Sequence, residues 1–159
     1  MILQTKEDFE KAILSGEEIK HQTVFYTGEL DGQTHNLEVG AYDPSKGVYC
    51  GELCGKQIWC DLHDAPEQMD WKSAMKHAKD KKRQLPSIDE LTVVYLNREK
   101  INKALVANGG DEFKTDDYYW SSSENYSDAS WVLDMGSGNR NDFNKTNYHY
   151  LRCFQLLEN

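Results

Sequence analysis

Chemistry in this chain would have to come from three groups of residues. Four cysteines stand at Cys50, Cys54, Cys60 and Cys153, the first three separated by three and five residues. Neither spacing is the two-residue gap of common zinc sites, and His63 is the one imidazole near them in sequence. They therefore read as reduced, half-buried thiols rather than metal ligands. A disulfide from Cys153 to one of the others stays open if the protein works outside the cytoplasm. His149 and Asp142 can be drawn as an acid–base pair, but no nucleophile or oxyanion donor can be placed beside them. The third group is Asn125, Tyr126, Asp128, Asn139, Arg140, Asn141, Asp142, Phe143, Asn144, Asn147, Tyr148 and His149. Its amides and hydroxyls supply adaptable hydrogen bonds, and its aromatic rings supply rigid contact area at low entropic cost, the mixture found in antibody paratopes. An ordinary polar loop, in which Asn serves turns, is the competing reading. Phe143, Tyr148 and Arg140 within the stretch favour a ligand-binding surface.

Composition narrows the classes. At 159 residues, 38% hydrophobic and 28% charged, the chain fits one soluble globular domain. A net charge of -9 opposes sequence-independent binding to nucleic acid. The basic run Lys76 to Arg83 reads as the solvated face of a helix. No apolar run is long enough to span a bilayer. The N-terminus, Met1 to Asp8, turns acidic at once and lacks the apolar core of a signal peptide. Synthesis in the cytoplasm is expected, followed by assembly into a virion or export without a standard leader. No cofactor is expected.

The elements that must position these residues follow from periodicity. Phe9, Ala12 and Ile13 mark a short helix over residues 6 to 14. Thr23 to Leu30 and Thr34 to Ala41 predict a hairpin turning at Asp31-Gly32. Asp43 to Gly47 is a turn, and Val48 to Cys50 and Gln57 to Cys60 are short strands around Cys54-Gly55. His63 to Glu67 reads as a hinge. Trp71, Ala74, Met75 and Ala78 recur at helical spacing and predict a helix from Asp70 to Lys82. In Leu85-Pro86-Ser87-Ile88-Asp89-Glu90-Leu91, Ser87 and Glu90 form a capping box. One helix, or two joined near Asn97-Arg98, follows between Ile88 and Ala107 and leaves through Asn108-Gly109-Gly110. Then Trp120 ends a strand, Ser121 to Ser123 form a polar turn, and Trp131, Leu133 and Met135 line one face of the partner strand. After the turn Gly136 to Gly138, Asn139 to Asn147 reads as irregular, and Tyr148 to Leu157 closes the chain as a strand.

Leu85-Pro86-Ser87-x-x-Glu90-Leu91, Tyr119-Trp120-Ser121-Ser122-Ser123-Glu124, Trp131 and Leu151-Arg152-Cys153 resemble the bacterial and phage C-type-lectin-like domains. Such domains end collagen-like adhesins and occur in phage tail and receptor-binding proteins. The pattern is also similar to the variable proteins of diversity-generating retroelements, whose diversified segments are Asn-rich. The match covers about Trp71 to Phe154. It implies an α+β, C-type-lectin-like fold, with two helices flanking a small twisted antiparallel sheet and long irregular loops. Residues 1–64 would add an N-terminal helix and β-hairpins to a core at 65–159. The resemblance also implies that Trp120 packs in the core and that Ser121 and Ser122 bond turn backbone.

Two departures bear on activity. Trp131 is followed by Val132-Leu133, and the chain lacks the Glu-Pro-Asn, Gln-Pro-Asp and Trp-Asn-Asp motifs of calcium-dependent sugar binding. Only Cys153 lies in the C-terminal half, where formylglycine-generating enzymes of this fold carry two reactive cysteines. The expectation is a non-enzymatic recognition domain, phage- or prophage-encoded, binding a protein or glycan on a bacterial surface without calcium. A structural virion or adhesin component, contacting other subunits only, is the alternative, and an enzyme reusing the fold is a further one. Neither nucleic acid nor membrane is expected as a partner, and a homo-oligomer is left open.

Overall fold

A computed structural model describes residues 26–30 and 33–158, with side chains from Leu37 onward. The expected helix at 6 to 14 and the Asp31-Gly32 turn lie outside the described residues. The fold is α+β, with antiparallel sheets and three helices among the described residues. Strands β1 (Tyr26–Leu30) and β2 (Gln33–Leu37) pair with each other. Strands β3 (Tyr42–Asp43), β4 (Gly47–Leu53) and β5 (Lys56–Asp64) lead into helices α1 (Trp71–Asp80), α2 (Ile88–Leu96) and α3 (Arg98–Ala107). Strands β6 (Tyr118–Glu124), β7 (Ala129–Asp134), β8 (Arg140–Asn144) and β9 (Arg152–Glu158) complete the chain.

One sheet has the order β3-β4-β5-β9 and another the order β6-β7-β8. The closing strand therefore pairs with β5, and residues 47–64 belong to the same sheet as the C-terminus. Just before β9 the chain runs alongside β6: Trp120 N–H donates to Tyr150 O at 2.9 Å, and Tyr150 N–H to Tyr118 O at 3.0 Å. Residues 149–158 thus stitch the two sheets together.

Strands β6 and β7 pack on both faces, while β8 forms a largely exposed edge of the sheet. Tyr119, Leu133 and Met135 join one core cluster with Val48, Ile58, Leu91 and Ile101. Trp120 and Val132 join a second with Ala74, Ala78, Leu85 and Leu151, beneath α1. The apolar stripe of α1 faces inward as its period requires, with Asp70 capping its first turn by accepting from Ser73 N–H at 2.9 Å. Ser87 and Glu90 cap each other's backbone in the predicted box. The predicted join falls at Asn97, whose Nδ2 donates to Cys50 O at 3.1 Å inside the core.

Several local expectations are corrected. The strand at Trp120 does not end there. It runs on to Glu124, with a register break between the two, so the serines lie in a bulged strand rather than a turn. Asn139 to Asn147 is not irregular throughout, because Arg140–Asn144 pairs residue by residue with Ala129–Leu133. The expected hinge begins inside β5, which extends to Asp64. Among the described residues no helix is long and apolar enough to cross a membrane.

Gly47 shows how closely β4 and β5 approach. Its φ is +101°, and a Cβ there would stand 2.0 Å from Cys60 O. A side chain must push the two backbones apart as well as adopt a conformation that L-residues avoid. Gly47→Ala is expected to cost roughly 2–3 kcal/mol, read as a lower denaturant midpoint at unchanged slope.

Candidate functional site

The residues singled out by type converge only in part, because β8 is a strand and its side chains alternate between the sheet's two faces. On the face shared with Trp120 and Val132 lie Asn141 and Phe143. Asn141 Nδ2 donates to Tyr118 Oη at 2.8 Å, and the Phe143 ring stands 5.2 Å from that of Tyr118. On the opposite face, Arg140 Nη2 reaches across to α2, donating to Asp89 Oδ1 at 3.1 Å and Thr92 Oγ1 at 2.9 Å. Arg140 is therefore a strut between β8 and α2.

His149 is 7% exposed and packs against the rings of Trp120 and Phe143, each at 4.9 Å, and of Tyr118 at 5.9 Å. Its Nδ1 lies 3.0 Å from Asp117 Oδ1, which also accepts the Tyr118 N–H. Asp117 Oδ2 accepts from Gln68 Nε2 at 2.8 Å. The acid–base pair drawn between His149 and Asp142 is therefore incorrect: Asp117 holds the imidazole, while Asp142 Oδ2 accepts from Asn125 Nδ2 at 2.8 Å. The Nε2 of His149 is buried and makes no hydrogen bond. With that nitrogen enclosed, the imidazole serves as a wedge in an aromatic cluster rather than as a group presented to substrate.

The remaining residues gather at one end of the sheet, around the turn from β6 to β7 and the loop after β8. Tyr126 is 66% exposed and Tyr148 62%. Asn125, Asp128, Asp142, Asn144 and Asn147 are exposed as well. Lys145 joins the two segments, its N–H donating to Asp128 O at 2.7 Å and its Nζ to Ser127 O at 2.9 Å. Its ammonium also pairs with Glu124 and lies 4.5 Å from the Trp71 ring centroid. Asn144 Oδ1 accepts from Thr146 N–H and Oγ1, closing the tight turn that precedes Tyr148. Asn139 stands apart at the other end, in the turn after β7, where its O accepts from Asp134 N–H at 3.0 Å.

The bulged serines support this platform from below. Ser121 Oγ donates to Trp131 O at 2.7 Å and accepts from Ser123 N–H. Ser123 Oγ accepts from Ile88 N–H at 2.9 Å, meeting the first turn of α2. Ser130 Oγ donates to Ser123 O at 2.7 Å. The implied backbone role holds for Ser121, whereas the second hydroxyl in that role belongs to Ser123. Ser122 contributes its N–H, donated to Pro86 O at 2.8 Å. Trp71 Nε1 donates to Ser121 O, and Trp120 Nε1 to Met69 O. Trp71, Tyr118, Asp117 and Gln68 are the supporting residues that sequence reasoning missed. The Asp116-Asp117-Tyr118 run was visible, but its partners lie at Gln68, Asn141 and His149.

Both cations contributed by residues 125–149, Arg140 and Lys145, are thus paired with carboxylates. The platform offers aromatic faces, amides and the carboxylates of Asp128 and Asp142. That set fits neutral hydroxylic groups or cations and disfavours anionic ligands. Among the described residues no three His, Cys, Asp or Glu side chains converge as a metal site requires. No protein family and no curated protein matches this chain.

Proposed function

We propose that this chain is a non-enzymatic recognition domain of C-type-lectin-like type, of phage tail or adhesin origin. It binds a protein or glycan on a bacterial surface without calcium. The observation that carries this reading is the pair Tyr126 and Tyr148. Both are more than 60% exposed, on two segments that Lys145 ties into one platform. Tyrosine exposed in this way is a favoured anchor of recognition surfaces, and exposed amides beside it supply directional bonds. The residues lent by the platform to the fold, Arg140, Phe143 and His149, belong to its support and not to its ligand contacts.

The test is binding of the labelled chain to a panel of intact bacterial cells. A triple variant, Tyr126→Ala, Asp128→Ala and Tyr148→Ala, removes exposed side chains and leaves the Asn125–Asp142, Arg140 and Lys145 pairings in place. Binding by the wild-type chain, with at least a tenfold loss in the folded variant, is expected. Undiminished binding by the variant rules out this platform, and a wild-type chain that binds no cell in the panel leaves the reading without support.

A further inference from the structure

We propose that the outer face of α1 is a docking surface for a second copy of this chain, which presents its acidic side to the lysines of the helix. Residues 72–83 carry six of the 18 basic side chains and one of the 27 acidic ones. A strongly basic surface therefore stands in a chain whose net charge is -9. Lys72, Lys76 and Lys79 recur at i, i+4 and i+7, so they share one face of α1 over about 10 Å. The buried Ala74 and Ala78 lie on another. Lys81 and Lys82 extend the stripe past the end of the helix, and all five lysines are exposed.

Two features set this face apart from an ordinary solvated helix. Solvated faces commonly place opposite charges one turn apart, and here Lys76 alone is paired in that way, with Asp80. Lys72, Lys79, Lys81 and Lys82 make no ion pair and no side-chain hydrogen bond among the described residues. Lys82, moreover, has a φ of +55°, a conformation that glycine adopts with least strain at a helix exit. The exit itself is made by backbone: Lys82 N–H donates to Lys79 O at 2.9 Å, and Arg83 N–H to Ala78 O at 2.8 Å. The turn does not need this side chain, which adds an ammonium to the stripe.

The complementary charge lies elsewhere on the same chain. His63 Nδ1 lies 2.7 Å from Asp111 Oδ2, and Gln68 Nε2 donates to Asp117 Oδ2 at 2.8 Å. These contacts hold residues 63–68 beside residues 111–117 and gather the exposed Glu67, Asp111, Glu112 and Asp116 on one side. Glu67 and Glu112 make no ion pair among the described residues, and no α1 lysine reaches this side within its own chain. Each copy carries both halves, so two copies can meet reciprocally and make the contact twice. The remaining negative charge does not forbid this, because beyond a Debye length of about 8 Å exposed charges are screened at physiological ionic strength. A long polyanion running past the stripe would instead meet the chain's other acidic side chains.

The experiment is sedimentation velocity on the full chain from about 10 μM to about 1 mM, the range of weak contacts. Reversible association is expected at about 0.1 M salt and its loss at about 1 M, where the Debye length falls to about 3 Å. Lys72→Glu with Lys79→Glu and Lys82→Glu reverses one half, and Glu67→Lys with Glu112→Lys reverses the other. Each variant alone should associate at least about tenfold more weakly than the wild type, and an equimolar mixture of the two should recover association. Circular dichroism checks that the variants fold, which is expected because none of the five residues has an ion-pair partner among the described residues. If one does not fold, glutamine at the same positions takes its place, with the same weakening expected. A wild-type chain that stays monomeric across the range overturns the proposal. So does association that resists 1 M salt on the order of the screening limit, or a mixture no stronger than its parts. Polyphosphate bound by a monomeric wild type, and not by the lysine variant, would assign the face to an anionic polymer instead.

Discussion

Arg152→Met is expected to lower the free energy of unfolding by about 3–5 kcal/mol, because it strands a carboxylate in the core. Arg152 Nε donates to Asp64 Oδ1 at 2.7 Å, with the two side chains 0% and 6% exposed. Its Nη2 donates to Asp111 O at 2.9 Å, and its guanidinium lies 4.1 Å from the Phe113 ring centroid. Tyr119 donates its hydroxyl to Asp64 Oδ2 at 2.7 Å and accepts from Lys114 N–H at 2.8 Å. Burial, then the Asp64 charge, pushes the Tyr119 phenol above its ordinary pKa and keeps it a donor. The network locks the start of β9 to the end of β5 and to the segment before β6. Losing one partner leaves the other charged, buried and unpaired, which is why the cost exceeds the worth of the pair. A domain of this size is commonly stable by only about 5–15 kcal/mol, so the variant should unfold early in guanidinium. The double variant Arg152→Met with Asp64→Leu separates charge burial from packing. It should be markedly more stable than the sum of the two single losses, since no charge is left behind. An Arg152→Met midpoint close to wild type would mean that water reaches Asp64 after all.

That network also marks the limit of what the sequence discloses. Asp64 and Arg152 are 88 positions apart, His149 and Asp117 are 32 apart, and Arg140 and Asp89 are 51 apart. No local pattern announces such pairs, so Arg140 read as a free contact residue and His149 as a partner of nearby Asp142. The capping box of Ser87 and Glu90 was legible because both of its bonds close within three residues. The inward stripe of α1 was legible because burial of a helix face leaves a period of its own. Strand β8 was not. Arg140-Asn141-Asp142-Phe143-Asn144 has little intrinsic strand preference, and pairing with β7 makes it a strand. The platform was half legible. Tyr126 and Tyr148 stood out by type, but only the fold reveals that Lys145 binds their segments together and neutralises itself in doing so.

Trp120 is where scaffold and platform meet, and Trp120→Ala is expected to cost about 3–5 kcal/mol. Its side chain is 1% exposed, among Ala74, Leu85, Val132 and Leu151. Removing it opens a cavity between α1 and the sheet that small neighbours such as Ala74 and Ala78 cannot fill. The indole N–H also donates to Met69 O at 2.9 Å, and Met69 exchanges backbone hydrogen bonds with His149. The loop that ends in Tyr148 is therefore seated on Trp120 twice, through the ring contact with His149 and through Met69. Trp120→Phe keeps an aromatic ring but leaves the Met69 carbonyl without that donor, for a smaller loss of about 1–3 kcal/mol. The two variants differ in what they should do to binding while the protein stays folded. Trp120→Phe should weaken cell binding less than Trp120→Ala, because His149 retains a ring to pack against. If both variants bound as the wild type does at temperatures where they remain folded, the ordering of Tyr148 would not depend on this brace. Recognition would then rest on the β6–β7 turn and Tyr126 alone.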